Sequence, residues 1–313
     1  MILVTGSAGL VGRHLCAHLQ RAGHDVRYFD LKRSSSEDVR EIEAVEQALS
    51  GVTGIVHLAA VARVLYGERD PVLCRSTNIG GLKTVLGAAL RISTVRPWFI
   101  FASSREVYGD AARVPVTEDT ELCALNNYAR TKVEGEALVN AAREAGLIAN
   151  ICRLSTVYGS VEDYADRVLP AFCAAAAMGG EIYIEGQDVT LDPTHVDDVS
   201  RGLRLLIEQT SLQNLLPPIH FVSGRGRTLA ELAQLAIAAG ESRTNVSTRP
   251  YRKYDVKKFV GDPGRAKALL GWTTQIDIED GIARLVQDFR DLHLSAQKHK
   301  EAARPMGLSA DFR

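Results

Sequence analysis

Short apolar runs alternate with amphipathic stretches through the first half of the chain. Runs at 2–4, 26–29, 54–58, 98–103 and 149–154 are strand-length with little polar interruption, as expected of strands buried on both faces. Between them, apolar positions recur at three- and four-residue spacing over 10–22, 42–49, 78–91 and 128–145, which predicts helices with one packed face. Val39 is placed in a further short strand. This rhythm predicts an α/β fold: a Rossmann-type, doubly wound parallel sheet that takes its ligand where the strand order reverses.

After about residue 160 the rhythm loosens. Helices are expected over 169–178, 194–208 and 228–239, strands over 181–185 and 219–222, and a short helix closed by Gly271 and Trp272. Residues 161–294 therefore read as a smaller, mixed α/β lobe with returns to the main sheet of 1–160, and 295–313 as a frayed tail without a packing pattern.

Composition narrows the function classes. A net charge of −1 and 6% aromatic residues give no footprint for nucleic acid or a membrane surface. No apolar run approaches the roughly 20 residues of a membrane span, and the start lacks the basic region of a signal peptide. The five cysteines are scattered, with no Cys-x-x-Cys. They read as reduced thiols of a cytoplasmic protein, not as a metal site.

Chemistry enters at Thr5-Gly6-Ser7-Ala8-Gly9-Leu10-Val11-Gly12, directly after the first strand. Glycines there allow a tight turn and close approach to a pyrophosphate, which the following helix meets with its N-terminal amides. Asp30 ends the second strand, where a carboxylate accepts from a ribose diol and repels a 2′-phosphate. That favours NAD over NADP, although Lys32 and Arg33 lie close by. Further on, Tyr128 and Lys132 stand four apart on one predicted helix face. The lysine charge is expected to pull the phenol down from its ordinary value of about 10, so that it can take a proton from a sugar or alcohol hydroxyl.

These motifs resemble the extended short-chain dehydrogenase/reductase family, specifically its NAD-dependent sugar-nucleotide epimerase/dehydratase group, over about residues 1–290. The resemblance is carried by the glycine loop, Asp38-Val39, His57-Leu58-Ala59-Ala60, Asn78 with Gly81, the segment 103–109, Tyr128 with Lys132, the segment 153–159, Asp192 with 195–198, Arg252 to Asp255, and Leu269-Leu270-Gly271-Trp272. It implies that NAD is held by Gly6, Ala8, Gly9, Leu10, Val11 and Gly12, by Asp30 and Leu31, and by Asp38 and Val39. Leu58, Ala59, Ala60, Asn78, Ala102, Ser103, Tyr128, Lys132 and Leu154 complete that set, with His57 a structural neighbour. A nucleotide sugar is expected against Ala62, Ser104, Arg105, Glu106, Thr156 and Arg252, with Ser104, Tyr128, Lys132 and Glu106 in catalytic roles. The resemblance also implies a homodimer, paired through the helix of Tyr128 and the helix after Asn78; Val133, Ala137, Leu138 and Ala141 offer a small apolar stripe for it or for the sheet.

The substrate side departs from the family pattern. Arg105 replaces the dehydratases' acidic residue, Thr156 an asparagine, Leu191 a diphosphate-binding arginine and Gly54 an aspartate. Arg252 remains, and Arg167 or Arg225 is a candidate substitute for the missing cation. Glu106 either acts as a base or pairs with Arg105, and Arg105 could bind a substrate carboxylate. The favoured expectation is 4-epimerisation of a nucleotide-activated sugar. Decarboxylation of a UDP-glucuronate-type substrate, 4,6-dehydration, 4-keto-sugar reduction and a non-catalytic NAD-sensing scaffold stay open.

Overall fold

In the computed structural model, which describes residues 1–240 and 243–302, the apolar runs become six parallel strands. These are β1 (Ile2–Thr5), β2 (Val26–Phe29), β3 (Gly54–His57), β4 (Trp98–Ser104), β5 (Ala149–Leu154) and, from the second half, β10 (Ile219–Phe221). Their order is β10-β5-β4-β3-β1-β2, every neighbour parallel. The chain winds outward in both directions from the β1–β3 boundary, and the sheet opens there. β1, β3 and β4 are buried along their whole length, whereas the edge strand β2 carries half-exposed positions. Gly54 is explained by Trp98: a Cβ would lie 1.9 Å from its indole ring.

Helices cover both faces. On one side α1 (Leu10–Arg21) and α8 (Val196–Ser211) pack Leu15, Leu19, Val199 and Leu203 against the sheet. On the other, α2 (Ile42–Ala48), α5 (Leu82–Arg91) and α6 (Asn127–Glu144) bring Val45, Leu82, Val85 and Val139. α3 (Val64–Arg69), α4 (Pro71–Arg75) and a π-helical stretch, Ser76–Gly81, connect β3 to α5. The single helix expected over 78–91 therefore begins as a π-turn. Val39 is buried but not in a strand; it packs beneath Gly81, because β2 is already the sheet edge.

The second half adds a lobe of α7 (Val168–Met178), α9 (Leu229–Gly240) and α11 (Ile278–Ala302) around a core that includes Phe172, Leu232 and Leu285. Short strand pairs tie it together: β6 (Thr156–Tyr158) with β9 (Pro193–His195), β7 (Glu181–Glu185) with β12 (Asn245–Arg249), and β8 (Thr190–Leu191) with β11 (Arg227–Thr228). α10 (Gly264–Leu270) ends at Gly271, and Trp272 is buried against Phe221. The tail expected to fray from 295 is helical as far as Ala302, as the last turns of α11; the rest of that expectation lies outside the described residues. No helix among the described residues is long and apolar enough to cross a membrane.

One polar cluster fixes α6 on the sheet. Glu136, buried, accepts from Ser103 Oγ at 2.5 Å and from Arg153 Nε and Nη2 at 2.9 and 2.7 Å. Arg153 also donates to the Tyr108 hydroxyl and the Glu118 carbonyl. Removing one member of such a pair strands a buried charge, at a cost of about 3–5 kcal/mol. Glu136→Ala is expected to lose that much in urea unfolding; a loss below about 1 kcal/mol would show that Arg153 finds other partners.

Candidate functional site

The C-terminal ends of β1, β3, β4 and β5 open into a cavity of about 830 Å³ roofed by the second lobe, well sized for a small-molecule site, for which about 300–1,000 Å³ is usual. Its floor is the glycine turn. Gly6 has φ +71°, and a Cβ there would lie 2.6 Å from the Ala59 nitrogen; a Cβ on Gly12 would lie 2.2 Å from the Gly6 carbonyl. Only a bare backbone fits, and the turn leads into α1, whose first amides address this space. These residues fit a dinucleotide pyrophosphate.

Gly6, Gly9, Leu10, Val11 and Gly12 line the cavity, as do Asp30, Leu31 and Val39. Leu58, Ala59, Ala60, Ala102, Ser103 and Leu154 lie at the strand ends. Three expected cofactor positions do not line it. The Ala8 amide is spent on Asp30 Oδ2 at 2.9 Å. Asp38 is clamped by Arg40, which holds its carboxyl below the ordinary range. Asn78 instead pins the loop after β3 to α6: it accepts from the Val61 amide at 2.7 Å and donates to Thr131 Oγ1 at 2.9 Å. Glu37, not anticipated from the sequence, lines the cavity and accepts from the Asp30 amide at 2.7 Å, putting a second carboxylate beside Asp30. His57 bonds Thr5 at 2.9 Å and stacks on Phe99, and burial brings its pKa down to about 3. It is a neutral, structural ring.

Ser104, Tyr128 and Lys132 converge on the cavity and all are buried. Lys132 Nζ donates to the Ala102 carbonyl at 2.7 Å and lies 5.7 Å from the centre of the Tyr128 ring. The expected acidification of the phenol is not what this environment produces. Burial pushes Tyr128 up to about 12, with a hydrogen bond to Ser104 pulling the other way. Burial also draws Lys132 down to about 8. In both groups desolvation is the largest cause and outweighs the contacts that oppose it, Ser104 for Tyr128 and Cys152, Cys74 and Glu136 for Lys132.

Ala62, Arg105, Glu106, Thr156 and Arg252 also line the cavity. Glu106 Oε1 meets Arg105 Nη2 at 2.8 Å, and Oε2 accepts from Asn126 Nδ2 at 3.0 Å. Glu106 thus pairs with Arg105, as one of its two expected roles requires. Asn126 is at the same time the N-cap of α6, accepting from the Ala129 amide at 2.8 Å, so the start of the Tyr128 helix is tied to Glu106. Arg252 pairs with Asp255 at 2.8 Å and Glu185 at 3.0 Å. Arg167 lines the cavity, but Arg225 pairs with Asp277 away from it. Sequence reading missed Arg249, which lines the cavity and stacks 3.6 Å above Tyr183. It also missed Arg63, which is ion-paired with Asp166 and lies over Tyr66 and Tyr164. No motif joins Arg249 to Tyr183 or Arg63 to Asp166, since each pair comes from segments far apart in the sequence.

Residues 2–215 match the model of the NAD dependent epimerase/dehydratase family. UDP-glucuronic acid decarboxylase 2 of Arabidopsis thaliana is 29% identical, covering 96% of this chain and 71% of its own. A UDP-glucose 4-epimerase from Thermotoga maritima, solved with UDP-glucose, superposes with a TM-score of 0.86 at 28% identity, over 93% of this chain and 99% of its own. An NAD-dependent NDP-hexosamine 5,6-dehydratase of tunicamycin biosynthesis superposes with a TM-score of 0.84 at 26% identity, over 93% and 97%. With a cradle only a bare backbone can form and a match across most of its length, the chain belongs to the NAD-dependent epimerase/dehydratase family and is an NAD-dependent enzyme.

Proposed function

We propose that the enzyme is a 4-epimerase of a nucleotide-activated sugar, oxidising C4 to a keto-sugar and returning hydride to the opposite face. The observation that carries this reading is the division of labour at the end of β4. Ser104, Tyr128 and Lys132 gather where a hydroxyl can be held and deprotonated, while both oxygens of Glu106 are engaged by Arg105 and Asn126. Oxidation and return need the first group only. Elimination across C5 and C6 needs a free acid–base pair, and neither Arg105 nor the tethered Glu106 supplies one.

The roles follow from placement. The glycine-turn amides and the α1 N-terminus would hold the pyrophosphate, Asp30 and Glu37 the adenosine ribose, and Lys132 the second ribose. NAD, when bound, would supply the hydride acceptor. Ser104 orients the C4 hydroxyl. As the phenolate, Tyr128 takes its proton on the outward leg, and as the phenol it gives that proton back to the keto oxygen on return; burial, which favours the phenol, makes the return the easier of the two transfers. The carboxylates at the adenosine ribose speak against a reductase that exchanges NADPH. Decarboxylation is the second reading, favoured by the Arabidopsis relative's activity. A homodimer through α5 and α6 is also proposed: Ala137 and Ala141 are exposed on α6, opposite its buried face.

Tyr128→Phe is expected to reduce kcat about 10²–10⁴-fold without releasing the cofactor, read by NMR of products across a nucleotide-sugar panel; undiminished turnover would remove Tyr128 from the chemistry. Lys132→Met is expected to abolish turnover yet stabilise the fold at pH 7. The unfolded chain keeps this proton up to an ordinary lysine's 10.5, and the folded chain gives it up near 8. Carrying the charge therefore costs stability below pH 8, and the cost disappears as pH rises between the two values. Urea unfolding should show a gain on the order of 1–3 kcal/mol at pH 7 that has vanished above about pH 10. A loss of stability at pH 7 would contradict it.

A further inference from the structure

The departure at Arg105 has a geometric counterpart. Arg105 follows Ser104 directly, lines the cavity, and is largely buried, with its guanidinium 5.7 Å from the Phe259 ring centre. One edge is occupied: Nη2 meets Glu106, which Asn126 holds from the other side. The other terminal nitrogen, Nη1, is buried without a hydrogen-bond partner among the described residues. Of the other arginines lining the cavity, Arg40, Arg63, Arg167 and Arg252 are paired with carboxylates and Arg249 stacks on Tyr183, and none of their nitrogens is buried and unpartnered in this way. A buried guanidinium N–H lacking an acceptor is an unfilled demand, and a carboxylate meets it best, with charge and planar geometry together.

We infer that Arg105 is a specificity-determining residue: tethered by Glu106, it receives a carboxylate on C5 of the bound sugar and keeps that carboxylate attached through the keto stage. The substrate is then a nucleotide hexuronate. This rests on the C4 oxidation proposed above, because the position matters only beside a C4 carbonyl. Once C4 is oxidised, a C5 carboxylate belongs to a β-keto acid. Loss of CO₂ breaks the C5–C6 bond and sends its electron pair into the C4 carbonyl. The resulting enolate then takes a proton at C5. Negative charge thus moves from the carboxylate to the C4 oxygen. A guanidinium held on the carboxylate stabilises the charge where it starts and not where it arrives, so it raises that barrier. Return of hydride to C4 moves no charge off the carboxylate and is left unhindered. The product is the 4-epimer with all six sugar carbons, in contrast to what the decarboxylase relative's name would suggest.

The test uses the full chain with its NAD, UDP-glucuronate and UDP-glucose as probes, NMR of the products and trapping of CO₂. Wild type is expected to prefer UDP-glucuronate by about thirty-fold or more in kcat/KM and to return its 4-epimer without CO₂. Arg105→Gln should lose that preference through KM and release pentose and CO₂ from the uronate, and Arg105→Lys should keep part of both properties. Wild type using the two sugars equally, wild type releasing CO₂, or Arg105→Gln keeping the preference each overturns the inference. If UDP-glucose is epimerised and UDP-glucuronate ignored, C4 oxidation stands and the Arg105 assignment alone fails. If neither sugar is oxidised, C4 oxidation fails and takes the assignment with it.

Discussion

The site depends on one constraint: α6 lays a tyrosine, a lysine and a glutamate against the sheet on a single face. Tyr128, Lys132 and Glu136 are spaced four apart and all are buried. Burial of that many polar groups is tolerable only if each is answered. Glu136 is answered by Arg153 of β5 and Ser103 of β4, Lys132 by the Ala102 carbonyl, and Tyr128 by Ser104. Three of the partners, Ala102, Ser103 and Ser104, are consecutive at the end of β4, and Arg153 lies beside them on β5, which fixes how the helix docks. Docking in that register is what brings phenol, ammonium and serine hydroxyl to one point.

The two walls of the cavity are built by different means. The cofactor wall is backbone: a turn in which Gly6 and Gly12 leave no room for a Cβ, followed by a helix N-terminus. The opposite wall, the one proposed for the sugar, is made of side-chain pairs, Arg105 with Glu106, Arg252 with Asp255 and Arg63 with Asp166. Backbone requirements fix residue types closely, whereas an ion pair can be rearranged by one or two substitutions. A family that keeps its dinucleotide while changing its sugar chemistry is what this division permits, and it is consistent with similarity to decarboxylase, epimerase and dehydratase alike.

Legibility followed the same line. The strands at 2–4, 54–58 and 98–103 and the glycine turn were readable because fully buried strands and steric limits leave a local imprint. Tyr128 and Lys132 were readable as a pair, but their electrostatics were not, since desolvation is a property of the assembled site; the expected fall in the phenol's pKa is a rise. Glu136 had a signal in its spacing from Lys132. Arg249, Arg63 and Asp166 had none, because Tyr183 and the Arg63–Asp166 partners lie far away in the sequence. α3 and α4, of six and five residues, were missed because they are too short to show a helical period, Val39 was assigned to a strand that the sheet edge excludes, and α11 was missed although it closes the second core.

The central claim is that hydride leaves C4 and returns to C4 of the same sugar while the cofactor stays in place. A nucleotide sugar carrying deuterium on C4, converted in ordinary water, reads this directly. The account predicts 4-epimer product with the deuterium still on C4 and none passed to solvent. Product with solvent hydrogen at C4 would contradict it.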